Sequence, residues 1–334
     1  EKYTYVHFLD EFDKSANLEM TAVELHRKYK FKSIIAISEL DITKVAEIRE
    51  YLGIPGQNYE SAIAFRDKYI MKKYAYKAGI KIPKFKKIDS FKDVLDFSEE
   101  VSFPFILKPR DAGGSIGVEK IDNIDSLTNY LKVNLPNNLL AEEFIDGDMY
   151  HVDGISVEGS VQYISIGKYL SECMNFKNGK SLGSVLINED NPIFEDLKKE
   201  IIKLLKIFPE SAILPFHAEF FITRSQEIYF CEVASRIGGP GINDTNRLIY
   251  GVDLMKSWGR LQNDYKNELL KKNAITGGWL LIPPIHGRVE TIPKDIPFDW
   301  VLEYQKHFKV GDNINIAKHS ADSLATLYIK GDSE

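Results

Sequence analysis

Apolar and polar positions follow two different periods along this chain, and the switches between them mark its elements. Residues 3–8 and 33–38 are short apolar runs that predict strands; 18–29 and 42–52 repeat at helical spacing, the second closed by Gly53. That alternation predicts a parallel sheet with covering helices, read here as what is left of a small open α/β domain. The chain opens on Glu1 rather than Met, directly before the first run, which leaves room for a preceding segment. Residues 63–78 read as one helix stopped by Gly79, with Pro83 beyond. Helices are then expected over 91–101 and 124–131, around a Pro-flanked strand at 103–109 and before another at 139–145, a βαβ-like layout read as a hinged lid.

Strands over 149–157 and 163–169 predict a hairpin, 172–184 a polar loop, and 193–208 an amphipathic helix. A second hairpin is expected from 217–223 and 228–234, then a helix over 243–261 and a closing β/α tail formed by 277–292, 301–308 and 324–329. The division that follows is an N-terminal α/β domain (1–62), a linking helix (63–84), an α+β lid (85–144) and a C-terminal antiparallel-sheet unit (145–334). The fold class is therefore mixed α/β and α+β, built from more than one domain.

The second hairpin carries the chemistry. A register pairing Thr223 with Ile228 puts Glu219 opposite Glu232, and like charges directly opposed on a sheet cost roughly 0.2–1 kcal/mol. A hard divalent cation would remove that conflict, since Mg²⁺ takes carboxylate and phosphate oxygens. Solvated glutamates in a slipped register are the plainer alternative. Four residues on lies Arg236, followed by Gly238, Gly239, Pro240 and Gly241, a run able to bring backbone N–H groups close to an anion at the start of the next helix. Metal, guanidinium and amides together suit the transfer of a phosphoryl group.

Upstream, the strand at 103–109 delivers Lys108 to the glycine-rich stretch 110–118, whose amides can lie along phosphate oxygens. A glycine loop is weak evidence by itself, because hairpin turns use the same residues. Lys68 and Lys72 are one turn apart on a helix, an arrangement that is ordinarily a solvated face.

Composition narrows the setting. The net charge is −6 without a long Lys/Arg block, which argues against nucleic acid or an anionic membrane as partner. No apolar run approaches the roughly 20 residues of a membrane span, and residues 1–20 lack a signal-peptide layout, so the cytoplasm is the expected location. Cys173 and Cys231 are the only cysteines; Cys231, on a strand and facing away from Glu232, reads as a buried thiol.

Taken in order, Lys68 before Ala78-Gly79-Ile80, FILKPRDAGGSIGV with Lys108, AEEFI followed by Gly147-Asp148, and EF…EVASR with Glu219, Glu232 and Arg236 resemble the ATP-grasp enzymes over about residues 66–254. The resemblance implies an ATP-grasp fold using ATP and Mg²⁺. It implies that Lys68 and Lys108 hold the ATP phosphates, with Gly113, Gly114 and Ser115 closing over them. Glu142, Glu143, Phe144 and Ile145 would line the adenine slot, and Asp148 would accept ribose hydroxyls. Glu219 and Glu232 would hold the metal, and Arg236 would act as the catalytic cation. Lys72 is left structural. Many members carry Asn two residues after the second Glu, where this chain has Ala234, and that leaves the number of metal ions open.

KPRDAGGSIGV and EVASRIGGPG look most similar to the L-amino-acid ligases that make dipeptides. In that reading Arg236, Gly238 and Gly239 bind the carboxylate being activated as an acyl phosphate, and the partners are small-molecule amino-acid substrates whose side chains the sequence does not identify. His217, His151, Asp153 and the 172–184 loop become candidates for the amine substrate, a structural role being as good a reading for each histidine. Family members often dimerise, and nothing in the sequence decides whether this chain forms a homodimer. The alternatives are an ATP-grasp ligase of purine-precursor or cell-wall type and a decayed nucleotide-binding regulator.

Overall fold

The computed structural model describes residues 3–9, 14–171, 176, 179–209, 211–265, 269, 275–317 and 322–331. Its N-terminal part is helical: α1 (Asn17–Tyr29), a 3₁₀ turn (Glu39–Asp41), α2 (Ile42–Leu52) and α3 (Tyr59–Ala64). The strands expected at 3–8 and 33–38 are corrected here, because neither segment joins a ladder among the described residues. An apolar run selects extended backbone, but a strand also needs a hydrogen-bonded neighbour. At Ile34 the carbonyl is taken instead by the Arg49 guanidinium, at 3.0 Å from Nε and 2.6 Å from Nη2.

The helix expected over 63–78 is broken. Asp67 caps a new helix, α4 (Lys68–Lys77), by accepting from the amides of Tyr69 and Ile70, which sets Lys68 at its first position. Next come β1 (Phe85–Ile88), α5 (Phe91–Glu100), β2 (Phe105–Pro109), β3 (Glu119–Ile121), α6 (Ile124–Val133) and β4 (Leu139–Glu143). Their strand order is β1-β4-β2-β3 with antiparallel neighbours, so each βαβ crossover skips one strand. Val94, Phe97 and Leu127 from the helices bury against Ile88, Phe105 and Leu107. The glycine loop is the turn between β2 and β3, with Gly114, Ser115 and Gly117 at positive φ.

The larger sheet comprises β5 (Gly147–Val157), β6 (Ser160–Tyr169), β7 (Leu182–Leu186), β8 (Ile213–Thr223), β9 (Ile228–Ala234), β10 (Thr276–Ile282), β12 (Val301–Lys306) and β14 (Ala325–Gly331). Its antiparallel order is β12-β14-β10-β7-β6-β5-β8-β9, and β11 (Gly287–Arg288) pairs separately with β13 (Asn313–Ile314). The loop expected over 172–184 is thus partly strand, since β7 lies between β10 and β6. Residues 172–175 and 177–178 of that loop, Cys173 among them, lie outside the described residues. α7 (Pro192–Ile207) and α4 cover one face through Phe194, Leu197, Ile201 and Met71, packed on Phe216, Phe220 and Phe230.

The hairpin register differs from expectation near the turn and agrees at the site. Ile222, not Thr223, pairs with Ile228, and Phe220 pairs with Phe230; a β-bulge at Cys231 then restores Glu219 opposite Glu232. Thr223 is drawn into the turn, its carbonyl accepting from the Gln226 amide at 2.9 Å. The helix expected over 243–261 divides into α8 (Ile242–Thr245), a π turn (Asn246–Tyr250) and α9 (Leu254–Leu261). Gly251, in the left-handed region, ends the first part, and Asp253 caps the second, so the glycine run precedes a much shorter dipole than expected.

Candidate active site

A cavity of about 820 Å³ lies between the smaller sheet and the larger one. The smaller sheet contributes Lys108, Gly113, Gly114, Ser115, Glu142, Glu143 and Phe144, and Ile145 and Asp148 follow on the segment leading into and along β5. The larger sheet and the run after it contribute His217, Glu219, Glu232, Arg236 and Gly239, and α4 contributes Lys68. Residues taken from distant points of the sequence therefore face one space. Gly238 does not line it: a Cβ there would come within 2.5 Å of Asp153 Oδ1 and 2.9 Å of His217 Nδ1, so this glycine permits close packing behind the wall.

The lysines are not a solvated face. Lys72 is fully buried, with Nζ 2.8 Å from Glu142 Oε1 and donating to the Phe230 carbonyl at 2.8 Å. The other oxygen of Glu142 meets Lys108 Nζ at 2.5 Å. Burial would raise the Glu142 carboxyl, but Lys108 and Lys72 outweigh it and hold it below the usual range. Glu142 thus pairs with Lys108 and Lys72 while also lining the cavity with Glu143, Phe144 and Ile145. Burial also pushes Lys72 down, whereas for Lys108 the carboxylate of Glu142 prevails and the shift is upward.

Lys68 links the two walls. Its Nζ donates to the Ala112 carbonyl of the glycine loop at 2.5 Å and lies 3.4 Å from Glu232 Oε2. Glu232 keeps 28% of its side chain exposed; burial would raise its carboxyl, but Lys68 and Lys108 bring it down to about 2. Glu219 accepts from Tyr169 Oη at 3.2 Å and lies 3.5 Å from His217 Nε2. Nδ1 of His217 bonds Asp153 Oδ1 at 2.8 Å, and the second oxygen of Asp153 bonds His151, whose Nε2 reaches Ser184 Oγ. Ala234 is buried on the face of Glu232 and pairs with His217 across the strands. His151 and Asp153 do not line the cavity; they hold His217, which does.

Elsewhere around the cavity, the Glu143 carboxylate accepts from the Lys84 amide at 3.3 Å, Lys120 Nζ sits 4.3 Å over the Phe144 ring, and Asp148 pairs with Lys168 at 2.7 Å. Cys231 is buried in the bulge and its thiol is pushed up to about 12 by burial. Arg236 is engaged by a residue that sequence reasoning missed. Glu39 Oε2 accepts from its Nε at 2.9 Å and its Nη2 at 2.7 Å, and Glu39 Oε1 accepts from Arg66 at 3.1 Å. Nothing local marks Glu39 or Lys72, since their partners lie far along the chain.

Residues 101–244 match the ATP-grasp domain. The chain carries an ATP-grasp domain. Over 97% of its length it is 25% identical to an L-arginine-specific L-amino acid ligase from Bacillus subtilis, covering 81% of that protein. It is 28% identical over 70% of its length to an alanine–anticapsin ligase of Bacillus subtilis (strain 168), and that alignment spans 54% of the relative. The crystal structure of an L-amino acid ligase from Bacillus licheniformis matches 94% of this chain and 79% of its own, with a TM-score of 0.75 at 20% identity. At that identity the likeness speaks for the fold alone. Among the described residues no helix is long and apolar enough to cross a membrane.

Proposed function

We propose that this chain is an ATP-dependent carboxylate–amine ligase that joins two L-amino acids and releases ADP and phosphate. The observation that carries the reading is one cavity in which Lys68, Lys108 and the glycine loop face the opposed pair Glu219 and Glu232, with Arg236 beside them. Relatives named as L-amino acid ligases support the choice of substrate class.

The donor set fits a divalent cation. Two carboxylates held opposite each other at the cavity, one already low in pKa, are hard oxygen ligands whose mutual repulsion a cation would relieve. Glu219 and Glu232 would hold Mg²⁺, which when bound neutralises charge on the ATP phosphates.

The chain's own residues supply the rest. Lys108, braced by Glu142, and Lys68 present ammonium groups to the phosphates, and the amides at 113–115 close over them. A carboxylate oxygen of the first amino acid attacks the γ-phosphorus and ADP leaves. The amine of the second attacks the acyl carbon, and phosphate leaves with the oxygen. Arg236 faces the charge that develops in both steps. Phe144 and Ile145 offer apolar contact to the base, and Asp148 an acceptor for ribose hydroxyls.

The need for ATP suits the cytoplasm, which we adopt as the location. Dimerisation, common in the family, is read by sedimentation of the purified chain. The decisive assay incubates the chain with Mg²⁺, ATP and pooled L-amino acids. ADP, phosphate and dipeptide are expected; AMP and pyrophosphate would rule out the acyl-phosphate route.

A further inference from the structure

The glycine run after Arg236 has a second use. Gly241 stands at φ 90°, and a Cβ there would meet the Trp279 indole at 2.5 Å, so this glycine makes room for a ring carried by β10. The β6-β7-β10 register sets Tyr169 and Trp279 on either side of Ser184, and their rings meet edge to face at 6.3 Å. Leu182, two residues before Ser184, points to the same face. Trp279, Tyr169 and Leu182 thus make an apolar floor that lines the cavity. At its rim stand Leu170, 59% exposed, and the exposed Pro240. Leu170 is laid across Gly183, where a Cβ would come within 3.3 Å of its Cδ1.

The side-chain hydroxyls at this end are already committed. Ser184 Oγ bonds His151 at 2.7 Å, Tyr169 Oη donates to Glu219 at 3.2 Å, and Ser171 Oγ donates to the Ser181 carbonyl at 3.0 Å. The acids of the cavity stand elsewhere: Glu142, Glu143, Asp146 and Asp148 on the run from β4 into β5, Glu219 and Glu232 on β8 and β9. Among the described residues, none lines it from β6, β7, β10 or 239–242. A cationic side chain entering here would lose its water and find no carboxylate, whereas an apolar one would exchange water for aromatic and aliphatic walls. The floor also adjoins the reacting groups, through Tyr169 at Glu219 and through Gly241, two residues after Gly239.

Resting on the ligase reading above, we propose that Trp279, Tyr169 and Leu182, rimmed by Leu170 and Pro240, form the side-chain pocket for one of the two joined amino acids, and that this amino acid is bulky and apolar. Trp279, seated by Gly241, is its specificity-determining residue. One relative is named as specific for L-arginine; the pocket described here lacks the counter-charge such a side chain needs.

The test is a competition among all twenty L-amino acids at equal concentration with Mg²⁺ and ATP, the dipeptides being identified by mass spectrometry, so that product ratios read ratios of kcat/KM. In wild-type protein, one position of the dipeptides is expected to hold L-leucine, L-methionine or L-phenylalanine over L-arginine and glycine by about 10²-fold or more. Trp279→Phe, which leaves the space of half an indole, should shift that position toward larger side chains, lowering the L-leucine to L-tryptophan ratio at least tenfold. A melting curve shows whether this variant folds. If it does not, Leu170→Asp at the exposed rim carries the test, with a rise of at least tenfold in L-arginine relative to L-leucine. Dipeptides with charged residues or glycine at both positions overturn the proposal and leave the ligase reading standing, and so does an unaltered ratio in the folded variant. Release of ADP with no amino acid, in a chain that binds ATP, would defeat the ligase reading itself and this inference with it.

Discussion

Asp153 and His217 pair across β5 and β8, their side chains joined by a 2.8 Å hydrogen bond, and the other face of the imidazole looks to Glu219. Burial alone would lower the His217 pKa; Asp153 reverses that and lifts it to about 10, while Asp153 itself is held below the usual range. A raised histidine contributes stability that is full below its unfolded pKa near 6.5 and is lost as pH rises toward 10. The depressed carboxylate contributes above about 4 and is lost as pH falls further. The pair is therefore expected to support the fold best between about pH 4 and 6.5. In the metal-free chain, the His217 ring resonances should stay at their imidazolium positions from pH 6 to 9, and Asp153→Asn should bring their titration into that range.

Lys72 is a fully buried cation paired with Glu142 at the base of the cavity. Lys72→Met should leave Glu142 with one partner and the Phe230 carbonyl without its donor. Breaking a buried pair of this kind costs about 3 kcal/mol, the low end of the usual range because Lys108 still holds Glu142. Urea unfolding should show the loss as a lower midpoint at unchanged slope.

Glu232 stands between Lys68 and the metal role proposed for it. Glu232→Gln should keep the fold, since the residue is only partly buried, and should cut ADP release by roughly 10²-fold or more. Raising Mg²⁺ should recover little of it. Wild-type turnover in this variant would remove Glu232 from the site.

Gly117 shapes the loop without lining the cavity. Its φ is 70°, and a Cβ there would meet the Pro109 ring at 2.8 Å. Gly117→Ala is expected to cost about 1–2 kcal/mol in the left-handed backbone and to raise KM for ATP. Titration with a fluorescent ATP analogue, with melting as control, checks both.

Much of this was legible in the sequence, where local pattern and local structure coincide. The helix at 42–52, the glycine loop, and Glu219 facing Glu232 all rest on neighbours a few residues away. The N-terminal strands were not, because a strand is decided by its partner, and the Ile34 carbonyl found Arg49 instead. Glu39, and the burial of Lys72 and Lys108 around Glu142, escaped for a related reason: each is defined by an ion pair between distant segments. Asp67 could have been found, since a capping residue before KYIM is a helix start written in the sequence.

The extra residue at Cys231 has a consequence for how such hairpins drift over time. It lets the outer end of β8 and β9 keep one phase and the inner end another, so the turn at 224–227 sets the pairing of Ile222 with Ile228 without dictating which face Glu232 occupies. A regular ladder that kept Cys231 would set the thiol opposite Glu219 and turn Glu232 toward the interior behind the sheet; the bulge is what keeps the glutamate on the cavity face. In hairpins of this kind, distance from the turn is a poor guide to which carboxylates share a face.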